Sequence, residues 1–156
     1  MKLHLVAVGR RMPEWVQAGY HEYARRLPPE CPLVLREIAP GARGRGADAA
    51  RAVGSEGERM LRALPTGARV LALDERGSPW RTRDLARQLS GWMRDGEDVA
   101  LLAGGPDGLA QACLTRARQH WSLSPLTLPH GLVRVVVAEQ LYRAWSALAG
   151  HPYHRD

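Results

Sequence analysis

The chain has 156 residues, with 22 Lys or Arg against 16 Asp or Glu for a formal charge of +6 and an isoelectric point of about 10.1. That length suits one domain with a self-sufficient core and leaves no room for a second catalytic domain, so a single domain over residues 1–156 is expected. Its two cysteines, Cys31 and Cys113, are far apart, form no C-x-x-C pair and have no histidines at ligand spacing, which argues against a disulfide framework or a metal site.

The amino terminus, Met1-Lys2-Leu3-His4, runs directly into apolar residues without a signal-peptide cleavage pattern. No later stretch approaches the ~20 apolar residues of a membrane span, so a soluble, cytoplasmic protein with no membrane partner is expected. Residues 3–8 are apolar up to Gly9 and read as a strand. Pro13 then opens a helix carrying Trp15, Val16, Tyr20, Tyr23 and Leu27 at roughly helical spacing. Residues 32–38 read as a second strand, followed by the flexible basic loop Pro40-Gly41-Ala42-Arg43-Gly44-Arg45-Gly46. A helix over 47–64 comes next, weakened by Gly54 and Gly57.

Residues 69–73 form a third strand ending at Asp74-Glu75-Arg76-Gly77, and Thr82 is placed to cap a helix with Leu85, Leu89, Trp92 and Met93 on one side. Residues 98–103 are, after Asp98, apolar without alternation, the pattern of a strand buried on both faces of a parallel sheet. After Gly104-Gly105-Pro106-Asp107-Gly108 the expectation is a helix over 110–120, an irregular segment over 121–130 and a last helix over 132–149, with Thr127 as a candidate cap. Strands alternating with helices indicate an α/β domain with a mostly parallel sheet flanked by helices.

In such a sheet ligands bind beyond the carboxyl ends of the strands. Gly104, Gly105 and Gly108 allow close approach to the main chain, although taken alone such a block is more often a tight strand-to-helix turn. The spacing is neither G-x-G-x-x-G nor a P-loop. In Leu123-Ser124-Pro125-Leu126-Thr127-Leu128 the prolines here and at Pro129 oppose helix while the leucines oppose full exposure. Such a segment must satisfy its free backbone groups, by packing or by the edge of a ligand. The last helix is apolar around much of its circumference, which suits deep burial or a subunit contact; Arg134, Glu139 and Arg143 interrupt it and need partners. The tail sets a ring, an imidazole and a guanidinium side by side at Tyr153, His154 and Arg155, the groups that an RNA base-modifying site uses. The basic balance points the same way, although an Arg-rich composition with Lys2 as the only lysine can have other origins.

Together these blocks closely resemble the ribosomal RNA large subunit methyltransferase H family, SPOUT-class enzymes that methylate N3 of a pseudouridine in helix 69 of 23S rRNA. The resemblance runs from Val6-Ala7-Val8-Gly9 through Leu73-Asp74, Leu101-Leu102-Ala103-Gly104-Gly105-Pro106-Asp107-Gly108 and Leu123-Ser124-Pro125-Leu126-Thr127-Leu128-Pro129-His130. It continues through Glu139-Gln140-Leu141-Tyr142-Arg143-Ala144-Trp145 to His151-Pro152-Tyr153-His154-Arg155. It implies a carboxyl-terminal trefoil knot, S-adenosylmethionine (SAM) as methyl donor without a metal, and a homodimer whose active site draws on both subunits. The partner it implies is 23S rRNA in the large subunit or the 70S ribosome. Leu73, Gly104, Leu123, Ser124, Pro125, Leu126, Thr127 and Leu128 become the cofactor-binding positions, and Tyr153, His154 and Arg155 the catalytic ones. The lack of a cysteine in a catalytic setting agrees with methylation at nitrogen, since a uracil carbon acceptor would need a thiol nucleophile. Competing readings are a non-catalytic RNA-binding protein on the same fold and a nucleotide-binding oxidoreductase; the second lacks the glycine fingerprint.

Overall fold

The computed structural model describes residues 1–44 and 48–155; Arg45 of the basic loop and Ala47, where a helix was expected to start, lie outside the described residues. Ten elements alternate along the chain: β1 (Leu3–Val8), α1 (Glu14–Ala24), β2 (Leu33–Ile38), α2 (Ala49–Arg62), β3 (Arg69–Pro79), α3 (Thr82–Asp95), β4 (Val99–Ala103), α4 (Gln111–Arg116), β5 (Gln119–Ser122) and α5 (His130–Ala149). The strands form one sheet in the order β2-β1-β4-β3-β5, and every pairing is parallel.

The central strands β1 and β4 are buried at every position, as their unalternating apolar runs require. One face of the sheet, with Leu3, Leu5, Leu71 and Leu101, packs on Tyr20 of α1, on Leu85, Leu89 and Trp92 of α3, and on Val137 and Leu141 of α5. The opposite face, with Val6, Val8, Val70 and Leu102, packs on Met60 of α2 and Cys113 of α4. His4 is the polar exception in β1; its Nε2 meets Asp98 Oδ2 at 2.9 Å.

Several local expectations are corrected. The helix expected over 110–120 is only six residues long, because Ala117 turns extended and the Arg118 N–H donates to Val70 O at 2.8 Å. This starts β5, a short, half-exposed edge strand with no apolar alternation to announce it. The third strand runs past residue 73: Leu73 and Ser78 both pair opposite Trp121, so 74–77 bulge out of the ladder before Ser78 and Pro79 rejoin it. Gly77 permits that return, since a Cβ there would stand 2.6 Å from the His120 carbonyl carbon. Thr82 is the first helical residue of α3 rather than its cap; Arg81 precedes it, and its N–H donates to the Asp84 carboxylate at 3.0 Å. The last helix starts at His130, behind Pro129, without help from Thr127. At α2, Asp48 caps by accepting the Ala50 N–H at 2.9 Å.

Candidate functional site

The carboxyl ends of β3 and β4 and the chain after β5 converge on one cleft of about 810 Å³, within the ~300–1,000 Å³ range of small-molecule sites. Leu73 to Arg76 form one wall, Ala103 to Leu109 the second, and Leu123, Ser124 and Leu126 to His130 the third, with Leu114, Trp121 and Val133 at the base. Of the cofactor positions inferred from the sequence, Leu73, Gly104, Leu123, Ser124, Leu126, Thr127 and Leu128 line this cleft. Pro125 does not; it is exposed at the outside of its bend.

Each wall has a local cause. Gly104 lies so close to Gly108 that a Cβ would stand 2.5 Å from its carbonyl carbon, and Gly108 turns through a positive φ of 79°. Over the third wall, Ser124 Oγ accepts the Leu126 N–H at 2.9 Å and Ser122 Oγ donates to Ser124 O at 3.2 Å, so side chains serve part of the irregular backbone. Thr127 Oγ1 donates to Glu75 Oε2 at 3.2 Å, tying the third wall to the first. Leu126 is 71% exposed, an apolar side chain presented to the open cleft rather than to the core.

Asp74, Glu75 and Asp107 contribute three carboxylates to the lining, with Arg76 beside Asp74 and Arg43, from behind the wall, bonded to Asp107. Asp74 is the most sheltered and receives the Arg76 N–H at 3.0 Å. Among the described residues Glu75 has no arginine beside it, and this one unbalanced carboxylate over an apolar floor suits a ligand of net positive charge.

The tail sits elsewhere. Gly150 ends α5 in the left-handed conformation, with φ 68°, and the chain folds back. Tyr153 packs edge-on to Tyr142 with centroids 4.6 Å apart, lies near Tyr23, and has the Arg143 guanidinium 5.0 Å above its ring. Its hydroxyl donates to Glu139 Oε1 at 2.8 Å. Burial, and then the Glu139 carboxylate, push the phenol pKa well above its usual value. His154 Nδ1 stands 2.7 Å from His151 O, and Arg155 is exposed. None of the three lines the cleft. The structure therefore brings the inferred cofactor positions except Pro125 together on one cleft, and holds the tail residues outside its lining within one chain.

Glu139 is the site residue that pattern reading missed as a partner. Arg143, one turn on, supplies an i,i+4 bond, with Nη2 2.6 Å from Oε1. Arg134 pairs elsewhere: it is 2% exposed and donates to Glu37 at 2.7 Å and to Gly9 O at 2.8 Å. Each arginine is thus bound to a carboxylate of its own. Among the described residues no group of three His, Cys, Asp or Glu is placed to hold a metal, and no helix is long and apolar enough to cross a membrane.

Comparison with known proteins narrows the chemistry. The family described as "Predicted SPOUT methyltransferase" matches residues 1–154. A protein of Methylococcus capsulatus named "Ribosomal RNA large subunit methyltransferase H" is 60% identical over 155 residues, which cover 99% of this chain and 100% of that one. A protein of the same name from Thioalkalivibrio sulfidiphilus is 59% identical over 156 residues, the full length of both. Among solved structures, a methyltransferase of Legionella pneumophila in complex with bound SAM superposes with a TM-score of 0.51 over 92% of this chain and 66% of that longer one; at 11% identity this is a likeness of fold. A second, described as "Structural insights into the 2-OH methylation of C/U34 on tRNA", gives a TM-score of 0.51 at 25% identity over 93% of this chain and 91% of that one. On the full-length family match and these two relatives, the chain belongs to the SPOUT methyltransferase family.

Proposed function

We propose that this protein is a SAM-dependent methyltransferase acting on ribosomal RNA, with N3 of a helix 69 pseudouridine in 23S rRNA as the acceptor. The observation that carries the donor site is the convergence of three carboxyl-side bends on one cleft, and the rRNA acceptor is supported by the names of the two full-length relatives. SAM carries a sulfonium, an ammonium and a carboxylate, for a net positive charge, and its adenine ring is flat, with stackable faces and a hydrogen-bonding edge. The residues present fit it: Leu73, Leu126 and Leu128 offer apolar surface, Asp74 and Glu75 offer negative charge, and the glycine bend leaves main chain accessible. Bound there, SAM supplies an electrophilic methyl group. The protein's own part is to align the acceptor nitrogen and help it shed a proton.

His154 is the group proposed to take the N3 proton, and Arg155 the one that stabilises the developing anion or holds an adjacent phosphate. Tyr153 holds the base by its ring. Its hydroxyl is already committed to Glu139 and its pKa is raised, which suits it to positioning and not to acting as base.

The active site is proposed to be shared between two copies. His130, at one end of α5, borders the cleft and Gly150 ends the other, and 20 helical residues span ~30 Å. A tail folded back only as far as Glu139 stays short of its own cleft. Leu132, Val136 and Gln140 on α5 are incompletely buried and Leu148 is 44% exposed, leaving a face for a second copy. The chain's passage after β5, through the third wall and into α5, is where the trefoil knot of the family is proposed to lie. Helix 69 within the large subunit or the 70S ribosome is the proposed substrate, and the cytoplasm the proposed location.

Two measurements test this. Mass spectrometry of helix 69 from cells lacking the gene should show loss of the methylpseudouridine; an unchanged signal refutes the acceptor. Mixing a Gly104→Ala variant with a His154→Ala variant, each inactive alone, should restore about a quarter of wild-type transfer, because half the dimers are mixed and each has one intact pair of donor cleft and tail. No recovery would refute the shared site.

A further inference from the structure

Arg43 lies in the loop between β2 and α2 and is not part of the cleft lining, yet it grips the cleft's glycine wall. Its Nε donates to Asp107 Oδ2 at 2.8 Å while its Nη1 and Nη2 both donate to the Glu56 carboxylate, Nη2 at 3.0 Å. Glu56, on α2, is 1% exposed and also accepts the Gly41 N–H at 2.8 Å. Burial disfavours its charge, but Arg43 and the Gly41 N–H hold its carboxyl below the usual glutamate range. The bonds to Glu56 and then to Asp107 raise Arg43's own pKa, so it is charged throughout.

Glycines bring these partners close. Gly57 lets α2 lie against Ala110, where a Cβ would meet the alanine's at 2.5 Å, and a Cβ on Gly105 would stand 3.0 Å from Val8 Cγ1 and 3.9 Å from Glu56 Oε1. The glycine wall is thus packed from beneath by β1 and α2 and held at its tip by one guanidinium. A buried carboxylate stabilises a fold less well than an apolar side chain of its size. What the ion pair adds is direction, because the guanidinium fork engages two carboxylates at fixed angles. Asp107 is 44% exposed in its side chain, so its bond to Arg43 adds little to global stability. It does fix where residues 104–108 stand.

We propose that Arg43 is a positioning residue for the donor site: anchored by Glu56, it holds Asp107, and through it the Gly104–Gly108 bend, in the shape that receives the adenosyl ligand. This rests on the SAM reading above, and it makes this arginine of the basic loop a structural latch and not a phosphate contact.

The test is a double-mutant cycle in the full-length protein, read by calorimetric titration with SAM and by the KM for SAM and for RNA. Arg43→Lys keeps a charge beside Glu56 but loses the fork; Asp107→Ala removes the acceptor and leaves the Arg43–Glu56 pair whole. Each is expected to weaken SAM binding about 5- to 20-fold, with the double variant little worse than either and the KM for RNA unchanged. Should Arg43→Lys fail to fold, Arg43→Gln combined with Glu56→Gln, which removes both charges, carries the same expectation. Wild-type-like SAM affinity in the Arg43 variant, additive effects, or a loss confined to RNA binding would each overturn the latch while wild-type SAM binding keeps the donor site. Failure of the wild-type protein to bind SAM would overturn both.

Discussion

The Tyr153 hydroxyl donates to Glu139 Oε1 at 2.8 Å across 14 positions of sequence, and Arg143 donates to the same oxygen from its Nε at 2.9 Å. One carboxylate on the middle of α5 thereby fixes the tail that carries His154 and Arg155. A short terminal segment would otherwise be among the least ordered parts of a chain. Here an aromatic cluster of Tyr23, Tyr142 and Tyr153 and the Glu139 bond hold it to the helix.

Tyr153→Phe keeps the ring contacts and removes only the hydroxyl bond. It should cost about 1 kcal/mol of stability, lower single-turnover methyl transfer at least ~10-fold, and leave SAM affinity unchanged. Because the raised phenol pKa keeps Tyr153 protonated through the neutral range, the pH–rate profile should retain its shape in this variant. Loss of a titrating limb on making the phenylalanine variant would show that Tyr153 takes part in proton transfer.

Gly104→Ala should abolish measurable SAM binding. The new methyl group would stand 2.5 Å from the Gly108 carbonyl carbon and 2.6 Å from its oxygen, so the bend must open. Backbone on both sides of the contact offers no flexible side chain to yield. Calorimetry and thermal melting should show lost binding together with a destabilisation of about 1–3 kcal/mol; retained affinity would remove the glycine bend from the donor site.

Thr127→Val takes away the donor to Glu75, 3.2 Å away, and with it the tie between the first and third walls. The bond is exposed, so the melting temperature should hardly change, while SAM affinity should fall about 2- to 10-fold, as expected for one modest hydrogen bond. Dissociation rates measured by stopped flow should rise by the same factor. Equal rates in the two proteins would leave the tie without influence on the ligand.

Acid stability should depend on Glu56 and Asp98. The folded-state pKa of Glu56 lies below its ordinary 4.5, against burial and through Arg43 and Gly41; that of Asp98 lies below 3.8, first through its hydrogen bond with His4. A depressed carboxylate stabilises the fold fully above its unfolded pKa and progressively loses that contribution as pH falls through the folded one. Stability should therefore be flat near neutrality and fall below about pH 4.5. Glu56→Gln should be less stable than wild type by about 1.5–3 kcal/mol at pH 7, with the gap closing in acid. Urea titrations from pH 7 to 3 measure this, and a gap that widens in acid would contradict it.

The sequence by itself determined the sheet's centre, the helices and the bends. Residues 5–8 and 99–103 are apolar without alternation because both faces are covered, and no neighbour is needed to read that. The glycines at 104, 105 and 108 and the prolines at 125 and 129 mark irregular backbone for local steric reasons. What local pattern could not supply was β5, whose four residues become a strand only because the β3 edge, after its bulge, is there to pair with them.

Tertiary structure alone decided the partners. That Leu73, Gly104 and Leu126 face one cleft follows from strand order, and strand order comes from long-range packing that no window of sequence contains. Likewise Arg43, Arg134 and Arg143 look alike as letters, but burial and geometry commit each to particular carboxylates, at Glu56 and Asp107, at Glu37 and at Glu139. Charge type is a local property; which charge it meets is set by the fold.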